Sequence, residues 1–363
     1  MWTVVPLLLI ALIGVYFFFF ARRALRLTKL SPRSVMLIAI AAAVCLIAPS
    51  LGYFFGWSVW VIVVLYLFFF CIAFDLLALL WRLIVKKQIK ILRRLYVFGV
   101  FPVLITASLL TYGAVNIYDV RRTEYTVTSD KLTRGYKLAL LTDTHYGLLD
   151  NRDDLSALAA SLSEEGLDVV LLGGDITDES TTLQEVNEIF EIFGSINSTY
   201  GTYYVYGNHD TGVRSRKSAY TKEQLDDALA RNGVTVLADE SVVLAELLLV
   251  GRKDRSMPRK SAEELLQGTN TELYRIQLDH SPYELEEAAA SGFDISLSGH
   301  THAGQIFPLG VFNVLFGLSG DLNYGKEQFG DMTAIVSSGV TGWGFPIRTQ
   351  GISEYVIVEI LPE

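Results

Sequence analysis

Residues 137–145 read KLALLTDTH, a short apolar run that passes directly into Asp143 and His145. The same arrangement returns at 168–175 (DVVLLGGD), at 203–210 (YYVYGNHD) and at 295–302 (ISLSGHTH). Short apolar runs that end at glycine and polar residues are typical of buried strands followed by tight turns. The pattern predicts four strands, each of which carries polar side chains just beyond its carboxyl end.

Helical spacing of apolar residues follows the first three of these strands, over Leu155–Ser163, Leu183–Phe193 and Lys222–Asn232. Alternation of strands with amphipathic helices indicates an α/β domain. Three further strands, predicted at 247–250, 334–337 and 355–360, have less helix between them. That spacing favours mixed sheets over one purely parallel sheet.

Four polar residues stand in equivalent positions after the predicted strands: Asp143, Asp175, Asn208 and His300. In open α/β sheets, ligands bind at the carboxyl ends of the strands. Glycines beside these residues allow tight turns and a close approach of the backbone to a ligand. We therefore expect the four side chains to meet at one edge and to form one site.

All five histidines of the chain lie in this part of the sequence, namely His145, His209, His280, His300 and His302. Neutral imidazole and carboxylate are the usual ligands of borderline divalent metals. Four histidines, two aspartates and one asparagine make seven ligands, enough for two metals if one carboxylate bridges them. His209 is then left over for catalysis.

The first third of the chain has a different composition. Before residue 116 there is one acidic residue against eleven Lys and Arg, whereas the remainder has 38 acidic and 19 basic residues. A bilayer core needs roughly 20 apolar residues in helical form. The long apolar runs predict four transmembrane helices, at about 4–21, 35–53, 57–81 and 95–118. A linker and entry strand at 119–135 lead to the large domain at 136–363.

Basic residues cluster in two predicted loops, at 22–33 and 82–94, whereas the loop at 50–56 is uncharged. Positively charged loops stay in the cytoplasm. The sequence thus predicts a multi-pass protein of the bacterial cytoplasmic membrane whose large domain is extracytoplasmic. Asp75 falls inside the third predicted span, where a carboxylate either has a function or pairs with another span.

The motifs resemble, in order and spacing, the calcineurin-like metallophosphoesterase superfamily over about residues 136–362. The matching motifs are Asp143-x-His145, Gly174-Asp175, Gly207-Asn208-His209-Asp210, His280 and Gly299-His300-x-His302. Three strings, LDHSP at 278–282, SGHTHAGQ at 298–305 and GWGFPIR at 342–348, are similar to its membrane-attached bacterial branch. Some members and relatives of that branch cleave UDP-diacylglucosamine. The resemblance implies a four-layer α/β sandwich in which helices flank two mixed β-sheets.

The resemblance also implies a role for each motif. The first divalent metal would be held by Asp143, His145 and His302. The second would be held by Asn208, His280 and His300, with Asp175 as the bridge. Manganese is the first choice of metal, and zinc, iron or magnesium are the alternatives. A metal-bound hydroxide would attack, with His209 as the general acid and Asp210 orienting it.

Three weaker candidates lie outside these motifs. Arg348 either contacts a phosphate or forms a surface ion pair, and Arg214 is a candidate for binding a head group. The apolar segment Val311–Leu318 follows the last histidine motif. It either dips into the bilayer or packs as a buried lid.

Taken together, the residues predict a membrane-anchored phosphoesterase for a phosphodiester or a pyrophosphate that is lipid-linked or derived from the cell envelope. One alternative is a catalytically degenerate receptor or scaffold that uses a phosphoesterase-like domain for binding. Another is a channel or transporter coupled to hydrolysis, but Asp75 is the one carboxylate in the predicted spans. No nucleic-acid partner is expected, because an acidic domain repels polyanions.

Overall fold

The computed structural model describes residues 4–49, 59–85, 90–149, 152–210 and 219–363. It divides into two compact units, Met1–Tyr112 and Gly113–Glu363. The helices that begin in the first unit are α1 (Val4–Leu25), α2 (Pro32–Ile47), α3 (Val59–Ile84), α4 (Lys90–Val97) and α5 (Val100–Asn116). The last turn of α5, from Gly113 onward, belongs to the second unit.

Two of these helices, α1 and α3, are long and apolar enough to cross a membrane. The bent pair of α4 and α5 makes a third if it counts as one span. The prediction of four spans is therefore wrong for the described residues, because α2 has only 16 residues. At 1.5 Å per residue it rises about 24 Å, less than a bilayer core of roughly 30 Å. The predicted second span, 35–53, also extends into residues outside the described part of the chain.

The predicted fourth span, 95–118, is interrupted. Helices α4 and α5 meet at an angle of 58°. Gly99 lies at the break with a φ of +68°, a left-handed conformation that glycine adopts without steric cost. The apolar pattern of the sequence continues across this break, so it does not reveal the bend.

Asp75 of α3 is paired inside the first unit. Its two carboxylate oxygens accept hydrogen bonds from Arg23 and Tyr16 of α1, both at 2.8 Å, and from the hydroxyl of Tyr96 of α4. Arg23 also donates to the Tyr96 hydroxyl at 2.8 Å. Of the two interpretations of Asp75, the structure supports pairing, because this carboxylate joins three helices.

The second unit contains two six-stranded sheets within the described residues. The first has the order β1-β12-β2-β3-β4-β5. Its strands are β1 (Val120–Ser129), β2 (Tyr136–Leu141), β3 (Val169–Leu172), β4 (Thr202–Tyr204), β5 (Val234–Val236) and β12 (Ser353–Pro362). Strands β2 to β5 are parallel, β12 is antiparallel to β2, and β1 runs parallel to β12 at the edge.

The second sheet has the order β10-β11-β9-β8-β7-β6. Its strands are β6 (Glu240–Leu244), β7 (Leu247–Gly251), β8 (Tyr274–Leu278), β9 (Ile295–Ser298), β10 (Gly325–Phe329) and β11 (Met332–Val336). The four inner strands are parallel, and β6 and β10 lie antiparallel at the two edges. The helices of this unit are α6 (Arg152–Ser163), α7 (Leu183–Gly194), α8 (Lys222–Arg231), α9 (Ala262–Leu266), α10 (Leu285–Ser291) and α11 (Leu309–Leu315).

Three apolar cores stack these elements into layers. In β2, Ala139 and Leu141 belong to the core formed with α6, α7 and α8, whereas Leu138 and Leu140 belong to the core between the two sheets. A third core joins the outer face of the second sheet to α9 and α10. The prediction of two mixed sheets flanked by helices is confirmed. Burial on both faces explains why the strands read as continuous apolar runs.

The pairing also aligns the strand ends that carry the motifs. In the first sheet, β2, β3 and β4 are adjacent and parallel, and they lead to Asp143, Asp175 and Asn208. In the second sheet, β8 and β9 are adjacent and parallel, and they lead to His280 and His300.

We predict that Asp75→Asn destabilises the first unit and leaves the sequence of the second unit, which carries the histidine motifs, unchanged. The change takes the charge from a carboxylate that accepts three hydrogen bonds. After allowance for the partial exposure of Arg23 and Asp75, we expect a loss of about 1–2 kcal/mol. Thermal unfolding of the full chain in detergent measures it. Tyr16→Phe, which removes one donor and no charge, should have the smaller effect, and equal effects would contradict the central role of the carboxylate.

Candidate metal centre

The turns that follow the strands hold their polar residues in an unusual backbone conformation. Ten non-glycine residues of the described chain have φ values between +43° and +72°, and five of them are predicted ligands, namely Asp143, His145, Asp175, His300 and His302. Residues other than glycine rarely adopt this region, and such strain persists only where the surrounding structure imposes it. Half of the strained positions are therefore predicted ligands.

Glycines let these turns approach one another. A Cβ at Gly299 would lie 2.1 Å from the Asp143 Oδ2, and a Cβ at Gly174 would lie 2.8 Å from the His280 Nδ1. Gly174 also has a φ of +85°. Neither position has room for a side chain, so the glycines of the motifs are required by close packing of the polar groups.

The first group of potential ligands comprises Asp143, His145 and His302, whose ligand atoms all lie within 4.8 Å of one another. All three side chains are buried. The His302 Nε2 lies 3.5 Å from the Asp143 Oδ1, and the His302 Nδ1 lies 3.3 Å from the Thr341 carbonyl oxygen. That carbonyl accepts a hydrogen bond from the Nδ1–H, which leaves Nε2 as the free ligand atom.

The second group comprises Asp175, His280 and His300, again with ligand atoms within 4.8 Å of one another. The His280 Nε2 lies 3.1 Å from the Asp175 Oδ2, and its Nδ1 lies 2.9 Å from the Gly173 carbonyl oxygen. The Asp175 Oδ2 is also 3.9 Å from the His145 Nε2 of the first group. Asp175 therefore stands between the two groups.

Asn208 precedes His209, whose N–H donates to Asp175, and its amide oxygen and nitrogen are buried and lack a hydrogen-bond partner among the described residues. The Asp143 Oδ1 and both ring nitrogens of His145 are in the same state. Buried polar atoms without partners are costly. Carboxylate, amide and imidazole are together the donor set that divalent ions such as manganese or zinc accept. The residues thus fit a two-metal centre.

The pKa values of His145 and His300 agree with this fit, whereas that of His280 follows its contact with Asp175. Burial lowers the pKa of His145 well below its ordinary value, and burial together with the neighbouring His280 lowers the pKa of His300 to about 4. Both rings are then neutral, as metal ligands must be. Burial also disfavours the charged form of His280, but the Asp175 carboxylate raises the pKa of His280 well above its ordinary value. Positive charge is therefore favoured beside Asp175.

His209 lies at the margin of the two groups. Its ring centroid is 5.4 Å from that of His145 and 5.2 Å from that of Trp343, and its backbone N–H donates to the Asp175 Oδ1 at 2.8 Å. The ring Nδ1 lies 3.0 Å from both carboxylate oxygens of Glu179. Burial lowers the pKa of His209, but Glu179 outweighs it and raises the pKa above the ordinary value.

The expectation that Asp210 orients the His209 ring is wrong. The Asp210 carboxylate instead accepts backbone hydrogen bonds from Asp175 and Gly207 at 2.7 Å and from Thr177 at 2.9 Å. It therefore holds the turns after β3 and β4 together. Glu179, which the sequence analysis did not single out, takes the place beside His209. Its signal in the sequence was weak, because Asp178 and Glu179 are adjacent and either could have faced the ring.

Arg348 was expected to contact a phosphate or to form a surface ion pair, and the structure supports neither. Its side chain is 0% exposed. The guanidinium donates to the carbonyl oxygens of His302 at 3.0 Å, of Ser338 at 2.9 Å and of Thr341. Burial lowers the pKa of Arg348 to about 10. Arg348 thus positions the backbone around His302. Arg214, the other predicted substrate contact, lies outside the described residues.

We predict that Arg348→Met lowers stability and metal content together. Three buried carbonyl oxygens would lose a donor, at about 1–3 kcal/mol for each group left unsatisfied. Thermal unfolding and elemental analysis of the purified full chain measure both effects. Arg152→Met, which removes a half-exposed arginine of the same unit, is the control. A variant with normal stability and metal content but a raised KM would restore the substrate-contact role.

Comparison with known proteins agrees with this geometry. Residues 136–304 match the family model of calcineurin-like phosphoesterases. A metallophosphoesterase of Helicobacter pylori is 33% identical over 243 residues, which cover 64% of this chain and 62% of the relative. A transmembrane protein with metallophosphoesterase domain from Danio rerio is 28% identical, over 70% of this chain and 61% of the relative.

A phosphodiesterase of Escherichia coli is 30% identical over 181 residues, which cover 47% of this chain and 62% of the relative. The chain spans less than two thirds of the length of these relatives. The matched range 136–304 includes all seven predicted ligands as well as His209. Over residues 136–304 the chain therefore carries a calcineurin-like phosphoesterase domain.

Proposed function

We propose that the protein is a membrane-anchored, metal-dependent hydrolase of a phosphodiester or a pyrophosphate, with His209 as the general acid. One observation carries the proposal. Two buried groups of three ligands adjoin through Asp175, and the one remaining histidine lies beside them with a carboxylate on its ring. The seven ligand assignments and the role of His209 are part of this proposal.

Two divalent ions, when bound, would lower the pKa of water and offset the charge of a phosphate. The residues of the chain hold the positions for this chemistry. Asp143, His145 and His302 offer atoms to the first position, and Asn208, His280 and His300 offer atoms to the second, with Asp175 shared. Their turns are fixed by neighbouring strands, so little reorganisation is needed.

His209 has the geometry of a proton donor. The Glu179 carboxylate accepts a hydrogen bond from the protonated Nδ1 of His209, so the Nδ1 proton is retained. The proton available for transfer to a leaving group is therefore the one on Nε2. A general acid must face the leaving oxygen of its substrate. The His209 ring lies 5.4 Å from the His145 ring between centroids, and we place its Nε2 toward the leaving oxygen of the substrate.

The membrane helices favour a substrate in or near the bilayer, because a tether raises its effective concentration. The extracytoplasmic location predicted for the domain has the basic ends of α1 and α3 both in the cytoplasm, and it requires the chain to cross the membrane once more between those two ends. The Escherichia coli relative is a phosphodiesterase, which favours a diester. A lipid-linked or envelope-derived phosphodiester or pyrophosphate fits these observations best.

We predict that chelation abolishes hydrolysis by the detergent-purified full chain and that added Mn²⁺ restores it. The assay compares a soluble diester, a monoester and a lipid pyrophosphate, with Zn²⁺, Fe²⁺ and Mg²⁺ in parallel. Asp175→Ala should lose bound metal and activity. Asp227→Ala, an exposed carboxylate on α8, is the matched control. A wild-type chain that binds no metal and hydrolyses none of the three would support a degenerate binding domain instead.

We predict that His209→Ala keeps its metal but loses activity by about 10²–10⁴-fold, the usual contribution of a general acid. Glu179→Gln should give a smaller loss, because the ring remains but its carboxylate partner does not. Metal content and kcat are measured on the same preparations. The acid role fails if His209→Ala hydrolyses an ester with a poor leaving group at the wild-type rate.

A further inference from the structure

Seven large apolar side chains are exposed in one short segment of the second unit, which we name the apolar segment: Leu309, Val311, Phe312, Val314, Leu315, Phe316 and Leu318. Among the described residues of this unit, the other exposed large apolar side chains number only four. Leu315 and Phe316 are 69% and 70% exposed. A continuous apolar patch of this kind marks an interaction surface, whereas scattered apolar residues do not.

The exposure contradicts a buried lid, which was one of the two interpretations of residues 311–318. The segment contains helix α11 and has no charged side chain. Apart from two glycines and Asn313, all of its residues are apolar. From residue 303 to residue 320 there is no Asp, Glu, Lys, Arg or His. The rest of the unit is strongly acidic, so this stretch is unlike its surroundings.

Backbone polar groups of the apolar segment are paired by hydrogen bonds, as an apolar environment requires. The N–H groups of Phe312 and Phe316 donate to the carbonyl oxygens four residues earlier, at 3.1 Å and 2.9 Å. The N–H of Leu318 donates to the Asn313 carbonyl at 2.8 Å, and the Leu318 carbonyl accepts from the Tyr283 hydroxyl at 3.3 Å. Polar backbone groups must be paired in this way before a segment can enter lipid.

The segment is anchored next to the end of a candidate membrane span. The Phe307 N–H donates to the Thr349 Oγ1 at 3.0 Å, just before the segment begins. The Cγ2 of the same Thr349 lies 2.6 Å from where a Cβ on Gly113 would be. Gly113 starts the last turn of α5, and Asn116 of that turn donates to the Arg348 and Gly351 carbonyls at 3.1 Å and 3.0 Å. One threonine thus contacts both features.

We propose that the apolar segment inserts into the interfacial layer of the lipid bilayer in which the helices of the chain are embedded. The bilayer is favoured over other occupants because the last turn of α5, which belongs to the same unit, lies beside the anchor of the segment. At the rim, the exposed Arg255 stacks on the Tyr283 ring at 3.7 Å. An aromatic ring and a cation are the side chains preferred at the level of the lipid head groups.

Insertion has a consequence for the metal centre. The apolar segment begins seven residues after His302, and the intervening Ala303 and Gln305 lie in the same buried turn. Lipid contact at the segment therefore places the first ligand group close to the lipid–water boundary. This consequence concerns location only and does not depend on hydrolysis.

The test uses the full chain in phosphatidylcholine vesicles, with Cys45 and Cys71 replaced by Ala and one cysteine added. An environment-sensitive fluorophore is attached at Leu315→Cys or, as matched control, at Val243→Cys, a 58% exposed position on β6. We expect a blue shift at residue 315 and loss of emission when lipids carry an acyl-chain quencher, and neither effect at residue 243. Equal behaviour at the two positions overturns the proposal.

A label at residue 315 that is shielded from aqueous iodide but not quenched by lipid also overturns it, because a second copy of the chain would then cover the segment. The unaltered full chain gives an independent measurement in case the cysteine-free protein does not fold. With a photoactivatable acyl chain in the vesicles, crosslinked lipid should appear on residues 309–318 and not on residues 240–251. Absence of lipid on 309–318 contradicts insertion.

Discussion

The Asp143 turn joins the carboxyl edges of the two sheets, and the rest of the site depends on that junction. The backbone N–H of Asp143 donates to the Gly174 carbonyl at 3.0 Å, which ties β2 to the turn after β3. Its Oδ2 accepts from the His300 N–H at 2.8 Å, which ties it to the turn after β9 in the other sheet. The left-handed conformation of Asp143 is the cost of making both contacts from one residue.

Around this junction, buried charged side chains of the same type have different roles. Asp175 offers its carboxylate to both ligand groups, whereas Asp210 uses its oxygens to bind backbone N–H groups. Arg348 donates to the carbonyls of His302, Ser338 and Thr341 and has no exposed surface with which to meet a substrate. The buried charges thus divide into those that meet the site and those that hold its turns.

The same contrast between satisfied and unsatisfied groups applies to Asp75 in the first unit and to the apolar segment in the second. In the first unit, the one acidic residue is satisfied by Arg23 and two tyrosines, so its presence in an apolar helix is structural. In the second unit, the apolar segment is exposed although only four other large apolar side chains among the described residues are exposed. An unpaired polar group is costly away from water, and an uncovered apolar group is costly in water. The cost of uncovered apolar surface remains at the apolar segment, and this is why we infer a lipid contact at that segment.

Local patterns in the sequence determined a large part of this protein. Apolar runs of strand length, amphipathic spacing and glycine next to Asp or His predicted the helices α6, α7 and α8, the parallel strands and the polar residues that meet at their ends. These features were readable because secondary structure and burial depend on the periodicity of neighbouring residues. The two mixed sheets flanked by helices followed from the same information together with the family resemblance.

Other properties were decided only by the tertiary structure. The partner of His209, the burial of Arg348, the break at Gly99 and the exposure of residues 309–318 depend on contacts between residues far apart in the chain or on single backbone angles. Asp178 and Glu179 are indistinguishable by type, and an arginine in a loop is usually exposed. Hydropathy could not show that α2 is too short to span a bilayer, since helix ends depend on capping and packing as well as on composition.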